Sequence, residues 1–313
     1  MLHFLLRRGL ATAPVLLIVA IIVFLLLRMT PGDPAAAIAG DAASAQDIAQ
    51  IRRQLGLEAS IVHQFFSWLG DVLRGNLGYS YFYKMRVTDL IGQRLEPTLS
   101  VASLTIVLTV LIAVPMGLLA AWRRDGALDR FVMGASVLGF SVPVFVAGYL
   151  MIWLFSMQLG WLPSQGYSRV ADGVGPWLRH LVLPCVTLAV MYAALIARVT
   201  RAAVSEALTE DYVRTARAKG IAEWRMLTRH ALANAAVPIA TVIGLSVAGL
   251  IGGVVVTETI YAIPGLGQLT VDAVLSRDYP LIQGLTLFFS LVYVVVNLLV
   301  DLSYLLLDPR IRY

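Results

Sequence analysis

Long apolar runs alternate with polar stretches along this chain. The first run covers residues 10–27, with Arg7 and Arg8 just ahead of it. Five more follow at about 98–122, 131–157, 178–197, 231–256 and 281–307. A helix needs about 20 apolar residues to cross roughly 30 Å of hydrocarbon, and the six runs match that length. The first run has 18 residues, more than the roughly 7–15 of a signal-peptide core, so it reads as an uncleaved span. The pattern predicts an all-α membrane protein with six transmembrane helices. Residues 1–96 supply the first span and a long loop, 97–307 a regular core, and 308–313 a short tail.

The loop 28–96 opens on Met29-Thr-Pro-Gly-Asp-Pro34, where two prolines and a glycine stop a helix. Ile48, Ile51 and Leu55 then recur at helical spacing, as do Ile61, Phe65, Leu69 and Val72, with Trp68 beside them. Two short amphipathic helices lying along the membrane surface are expected. Residues 73–83, rich in Gly and aromatics, suit a turn or short hairpin at headgroup level.

Six spans put both termini on one side, and basic residues say which. The N-terminus, residues 123–130, the polar stretch 198–230 and the tail hold fourteen Lys and Arg; the two short loops opposite hold Arg169, Arg179 and Arg277. Both termini and 198–230 are therefore expected in the cytoplasm, with the long loop outside. Composition agrees with a membrane chain: 59% hydrophobic and 14% charged, where soluble domains carry about 25% charged residues. The single cysteine, Cys185, excludes an internal disulfide and a cysteine-built metal site. Gly-Lys never occurs, so there is no Walker A loop and no ATPase of that type. No cofactor and no nucleic-acid partner is expected; membrane lipid is.

The polar island 198–230 stands out between two greasy spans. It carries seven basic residues and four acids. Thr209 is placed to cap a helix, with Glu210 and Asp211 in the first turn where the dipole favours negative charge. The helix runs through Tyr212 to Lys219, and Gly220 is its stop signal. Glu223 begins a second helix leading into the fifth span. Ala216 and Ala218 are small enough for close approach, and Arg214, Arg217 and Lys219 offer charge to a partner. A solvated loop held near anionic lipid is the alternative on composition alone.

Asp211-Tyr-Val-Arg-Thr-Ala-Arg-Ala-Lys-Gly220, followed by Arg229-His-Ala-Leu-Ala-Asn-Ala-Ala-Val-Pro238, resembles the cytoplasmic loop of binding-protein-dependent ABC importer permeases. The likeness is narrowest to the dipeptide/oligopeptide/nickel group and its B-type permease. The general loop reads Glu-Ala-Ala, three residues, Gly, nine residues, Ile-x-Leu-Pro. Here Arg214, Thr215 and Ala216 stand at the Glu-Ala-Ala positions, Gly220 at the glycine, His230 and Leu232 at the Ile and Leu, and Ala233 at the proline. The acid and that proline are absent, as in the peptide subgroup. Other stretches agree: Pro31-Gly-Asp-Pro34, Arg53-Gln-Leu-Gly-Leu57, Arg74-Gly-Asn-Leu-Gly78, Ser141-Val-Pro-Val-Phe145, Glu258-Thr-Ile-Tyr-Ala-Ile-Pro-Gly-Leu-Gly267, Arg277-Asp-Tyr-Pro280 and Leu307-Asp-Pro-Arg310. The resemblance implies a type I importer permease that pairs with a second, homologous permease. It implies two ABC ATPase subunits, each gripping the coupling helix of one permease, and a periplasmic substrate-binding protein. Asp211, Tyr212, Arg214, Thr215, Ala216, Arg217, Ala218, Lys219 and Gly220 are the coupling residues it implies.

Within the spans, Gly244, Ala248 and Gly252 recur every fourth residue, as do Gly249 and Gly253. Small residues at this spacing let helices approach closely in lipid; they fit a subunit interface, a pathway wall or packing inside the chain. Pro143 is the best hinge candidate among the span prolines, because Ser141 can bond the carbonyl its ring frees. Asp301, with Asn297 one turn earlier, is the deepest acid; it is expected either to pair with a base such as Arg198 or to reach the near face as a structural acid. Glu258 and Tyr261 fit a gate, a contact to a peptide amino group, or a cap on the loop Pro264-Gly-Leu-Gly267. His180 reads as interfacial. A proton-coupled carrier or channel is the competing class, and it would need a relay of buried acids or histidines. An intramembrane enzyme would need paired acids or a Ser–His pair in a span, and none is present.

Overall fold

Helix dominates the computed structural model, which describes residues 2–29, 44–54 and 59–307. The motifs at 31–34 and 308–310, and the Leu-Gly-Leu of 55–57, with Leu55 of the predicted first amphipathic helix, lie outside the described residues. In chain order the helices are α1 (Leu2–Met29), α2 (Ala45–Gln54), α3 (Ile61–Leu73), α4 (Val87–Trp122), α5 (Ala127–Ser141), α6 (Val144–Met151), α7 (Val174–Ala207), α8 (Asp211–Ala218), α9 (Ala236–Ile260), α10 (Leu266–Leu275) and α11 (Tyr279–Leu307). A hairpin pairs β1 (Tyr79–Ser80) with β2 (Met85–Arg86), antiparallel. Both amphipathic helices of the loop are present as α2 and α3, and the hairpin falls within and just after the expected stretch.

Among the described residues four helices, α4, α7, α9 and α11, are long and apolar enough to cross a membrane. α1 contains the first apolar run. α4 has 36 residues, about 54 Å of helix, so it overshoots any hydrocarbon layer. α7 likewise continues past the fourth apolar run, and Arg198 and Arg201 ride on it.

The third run is not one straight span. α5 ends at Ser141, and α6, which continues as a π-helix over Ile152–Gln158, leaves it at 101°. The cause is local. Pro143 has no N–H to continue the ladder, and it drives Val142 into an extended conformation (φ −83°, ψ 122°). Ser141 does not serve the carbonyl that Pro143 leaves without a donor. Its hydroxyl donates to Val137 O at 2.7 Å. Pro97, Pro115 and Pro184 lie inside unbroken helices.

Of the described residues, 97–267 with 296–307 form one compact unit. Its core gathers Leu181, Leu188, Tyr192, Leu250, Tyr261 and Ile263. α4 crosses α7 closely: a Cβ on Gly117 would lie 2.6 Å from Ala197 O, so only glycine fits there. The Tyr261 hydroxyl meets that of Thr187 at 2.8 Å and donates to Gly148 O at 3.3 Å, tying α6 and α7 to the end of α9.

Residues 1–96 with 268–295 form the other unit. Phe24 of α1 packs on Phe65 and Trp68 of α3, ring centroids 5.2 and 5.5 Å apart. Gln283 of α11 donates to Val23 O at 3.0 Å. The hairpin is latched by the Ser80 hydroxyl, which donates to the buried Asp278 carboxylate just ahead of α11.

Candidate functional site

The polar island folds as an arm between α7 and α9. Thr209 closes α7, its hydroxyl donating to Glu206 O at 2.7 Å; it does not cap α8. Glu210 takes the N-cap position with extended backbone and no side-chain cap bond. Asp211 supplies the negative charge in the first turn. α8 stops as its residues dictate. Gly220 adopts φ +72°, which glycine reaches without a Cβ clash. Its N–H donates to Arg217 O, and that of Ile221 donates to Ala216 O, so the last carbonyls of the helix are served. Glu223 then starts a helical turn as expected, which widens into a π-helix over Met226–Ala231.

Two residues moor α8. Val213 and Ala216 are buried among Val204, Ala207, Met226, Leu227 and Ala231, with Leu118 and Ala121 of α4. Ala216 therefore faces its own chain and is not part of an approach surface, contrary to the expectation from its size. Alternation of small and charged residues could not reveal this, because the face is chosen by the π-helix folding back underneath. Arg217 pins that return by donating to Glu223 at 3.1 Å.

The outer face of the arm is open. Asp211, Tyr212, Arg214, Thr215, Arg217, Ala218, Lys219 and Gly220 are exposed, and so is Trp224, at 59%. Sequence reasoning passed over Trp224; an aromatic among charges on a helix start was the available signal. Burial pushes the Tyr212 phenol up; nearby Glu210 adds to this, and a hydrogen bond with Asn234 opposes it. The face thus carries two aromatic rings and mixed charge, with Arg214 paired to Asp211 at 3.4 Å and Arg217 to Glu223 at 3.1 Å. Arginine, tyrosine and tryptophan are the residues that anchor protein interfaces.

At its root the arm meets a further charged contact. Arg201 of α7 forms a bidentate ion pair with Asp129 in the first turn of α5. Asp129 is 3% exposed.

Residues 113–313 match the family model of the binding-protein-dependent transport system inner membrane component, and residues 1–102 match the N-terminal model of the same membrane components. The chain belongs to this family. The permease is 54% identical, over 99% of both chains, to a probable peptide ABC transporter permease of Sinorhizobium fredii. It is 43% identical, over all of both chains, to the glutathione transport system permease of Escherichia coli K12. Its fold matches a chain of the inward-facing MetNI methionine ABC transporter with TM-score 0.59 at 18% identity, covering 70% of this chain and 96% of that one. It is a multi-pass inner-membrane protein with the type I importer-permease fold, and its family and relatives favour an ABC importer permease over a secondary carrier.

Elsewhere in the permease the expected site residues fall in separate places. Glu258 is fully buried. It accepts from the Thr98 hydroxyl at 2.6 Å and from Gly267 N–H at 2.7 Å, while Thr98 in turn accepts from Leu266 N–H. Cβ atoms on Gly265 or Gly267 would collide with the carboxylate. Of the three uses open to Glu258, the geometry is that of a cap on the Pro264-Gly-Leu-Gly267 loop. Gly244 faces Val300 of α11, and Gly253 lies against Leu188 and Tyr192 of α7, which is packing inside the chain. Gly249 touches Tyr192 but stays exposed; Gly252 opens onto free space, with Ala248 half-buried beside them. Asp301 is half-buried in α11, and Arg198 is exposed on α7. The His180 ring lies 2.9 Å, through Nδ1, from Pro176 O one turn back in its own helix.

Proposed function

We propose that this permease forms half of the pathway of an ATP-driven importer for short peptides or related small solutes. A second, homologous permease supplies the other half. Of two ABC ATPase subunits, one grips α8 and the other the coupling helix of the second permease, and a periplasmic binding protein delivers the solute. The chain itself catalyses nothing; ATP is hydrolysed in the partners. The excess of basic residues on one set of loops supports an arm, N-terminus and tail in the cytoplasm. The peptide reading is supported by the names of relatives at 44–54% identity, and a glutathione permease at 43% keeps the solute class one of small peptides and their kin.

The observation that carries the coupling role is the two-faced character of α8. Val213 and Ala216 hold it to the bundle, while Arg214, Lys219, Tyr212 and Trp224 face outward. A helix moored this way moves with the spans it is packed on. A partner that binds the outer face better in one conformation shifts the bundle toward that conformation. The test is reconstitution. Uptake of labelled dipeptide into vesicles should need ATP, the ATPases, the second permease and the binding protein together. Uptake by this chain alone, driven by a proton gradient, rejects the reading. For the orientation, Thr215→Cys should react with a membrane-impermeant maleimide only in inside-out vesicles.

A further inference from the structure

α3 carries three distinct stripes. Its inner stripe, Gln64, Phe65, Trp68 and Val72, is buried or half-buried, and Phe65 and Trp68 close on Phe24 of α1. Val62, Phe66, Leu69 and Leu73 form a second stripe at steps of four, three and four residues, which places them on one helix face. Val62, Phe66 and Leu73 are 65%, 65% and 80% exposed. His63, Ser67 and Arg74 continue round the helix as a polar, exposed stripe. A helix with a packed edge, a bare apolar edge and a polar edge is built for a boundary between oil and water.

Its height is set by Phe24. That residue lies three positions before the end of the apolar run at Leu27, about 4.5 Å along the helix axis. Interfacial helices sink their apolar face roughly 5–10 Å into the headgroup–acyl boundary. The first depth lies just short of the lower end of the second. α1 itself exposes Ile18, Ile21, Ile22 and Leu25, an apolar face suited to lipid on the element on which α3 is packed. The same unit exposes Tyr79 and Phe82, aromatic types that collect at membrane interfaces. Charge contributes little, since Arg74 is engaged with Asp71.

We infer that α3 is an interfacial anchor whose Val62/Phe66/Leu73 face is buried in the bilayer boundary, clamping the outer end of α1 at a fixed depth. The inference rests on α1 being the first span, as proposed above. Lipid is its single occupant; a protein partner on this face is a different result, separated by the test.

Spin labels on single cysteines at 62, 66 and 73, at 63 and 67, and at 18 on α1, in a Cys185→Ala background, report accessibility in the assembled transporter reconstituted in phosphatidylcholine vesicles. The expected result is a gain of oxygen contact and a loss of nickel-chelate contact at 62, 66 and 73, as at 18, with the reverse at 63 and 67. Nickel-chelate contact at 66 equal to that at 67 means a face in water and overturns the inference. Loss of both contacts at 66 means a protein cover and overturns it too. Nickel-chelate contact at 18 means that α1 is not a span, and both readings fall together; oxygen contact at 18 without it at 66 sinks the anchor alone.

Discussion

Arg201 closes on Asp129 with two parallel bonds, Nε to Oδ1 at 3.0 Å and Nη2 to Oδ2 at 2.7 Å. The carboxylate is also the acceptor for Asp125 N–H at 3.0 Å, in a turn where Asp125 stands at φ +64°. One side chain thus joins the root of the arm, the start of the broken third span and the tight turn before it. Bidentate arginine–carboxylate pairs fix geometry as well as supplying energy.

Removing one partner leaves a buried charge without its counter-ion, which costs on the order of 3–5 kcal/mol. Arg201→Met should lower the thermal midpoint of the purified permease sharply, and Asp129→Leu with Arg201→Met should recover much of the loss. Midpoints for the single variant within experimental scatter of the wild type would show the pair to be an ordinary surface contact.

Gly220 discriminates between conformational and steric requirements. Gly220→Ala places a Cβ in the left-handed region, at about 1–2 kcal/mol. Gly220→Pro cannot adopt φ +72° at all and removes the N–H that serves Arg217 O. ATPase co-purification should survive the alanine and be lost with the proline. Wild-type recovery of ATPase with Gly220→Pro argues that the arm's C-terminal cap is irrelevant to docking.

The two faces of α8 predict opposite phenotypes. Ala216→Arg forces a long cation into the packed cluster and should destabilise the chain by roughly 1–3 kcal/mol, the range for overpacking. Lys219→Glu is exposed and should leave stability within about 0.5 kcal/mol while weakening ATPase binding. A Lys219→Glu permease that binds ATPase normally, in salt as low as the complex tolerates, removes this charge from the proposed docking face.

Glu258→Ala leaves the Gly267 N–H and the Thr98 hydroxyl without the acceptor they use, a cost of about 1–3 kcal/mol for each buried donor left unmade. Faster proteolysis within residues 262–267 and a lower thermal midpoint are expected. A variant as resistant as the wild type, yet defective in uptake, would move Glu258 from loop cap to pathway.

Gly253→Leu and Gly252→Leu separate packing from pairing. The first drives a side chain into Leu188, whose Cδ2 is 3.0 Å from where a Cβ would stand, and should unsettle the single chain; the second points into open space. Loss of permease pairing in Gly252→Leu, with the monomer's stability kept, is the signature of an interface. Unchanged pairing leaves this stripe with no assigned role.

Much was legible from residue order, and some of it was not. Hydropathy located the greasy segments because burial in lipid is a local demand on each stretch of about twenty residues. The ends of α8 were readable because a glycine stop and first-turn acids act within one turn. Thr209 was misread because a hydroxyl between two helices can serve either, and the carbonyl of Glu206 was nearer. Ser141 was misread for a related reason, bonding one turn back to Val137. Pro143 marked where the third run could bend, but the 101° of the break was not legible, because the apolar composition does not change across Val142-Pro143.

Order along the chain therefore settled that this protein lives in a membrane, where its polar arm lies and where the arm's helix stops, since these depend on solvation and backbone preference of near neighbours. Folding alone decided that Ala216 turns inward, that Glu258 reaches Thr98 and that Arg201 finds Asp129 across 72 positions, because such pairings exist only once distant helices are packed at one distance and one rotation.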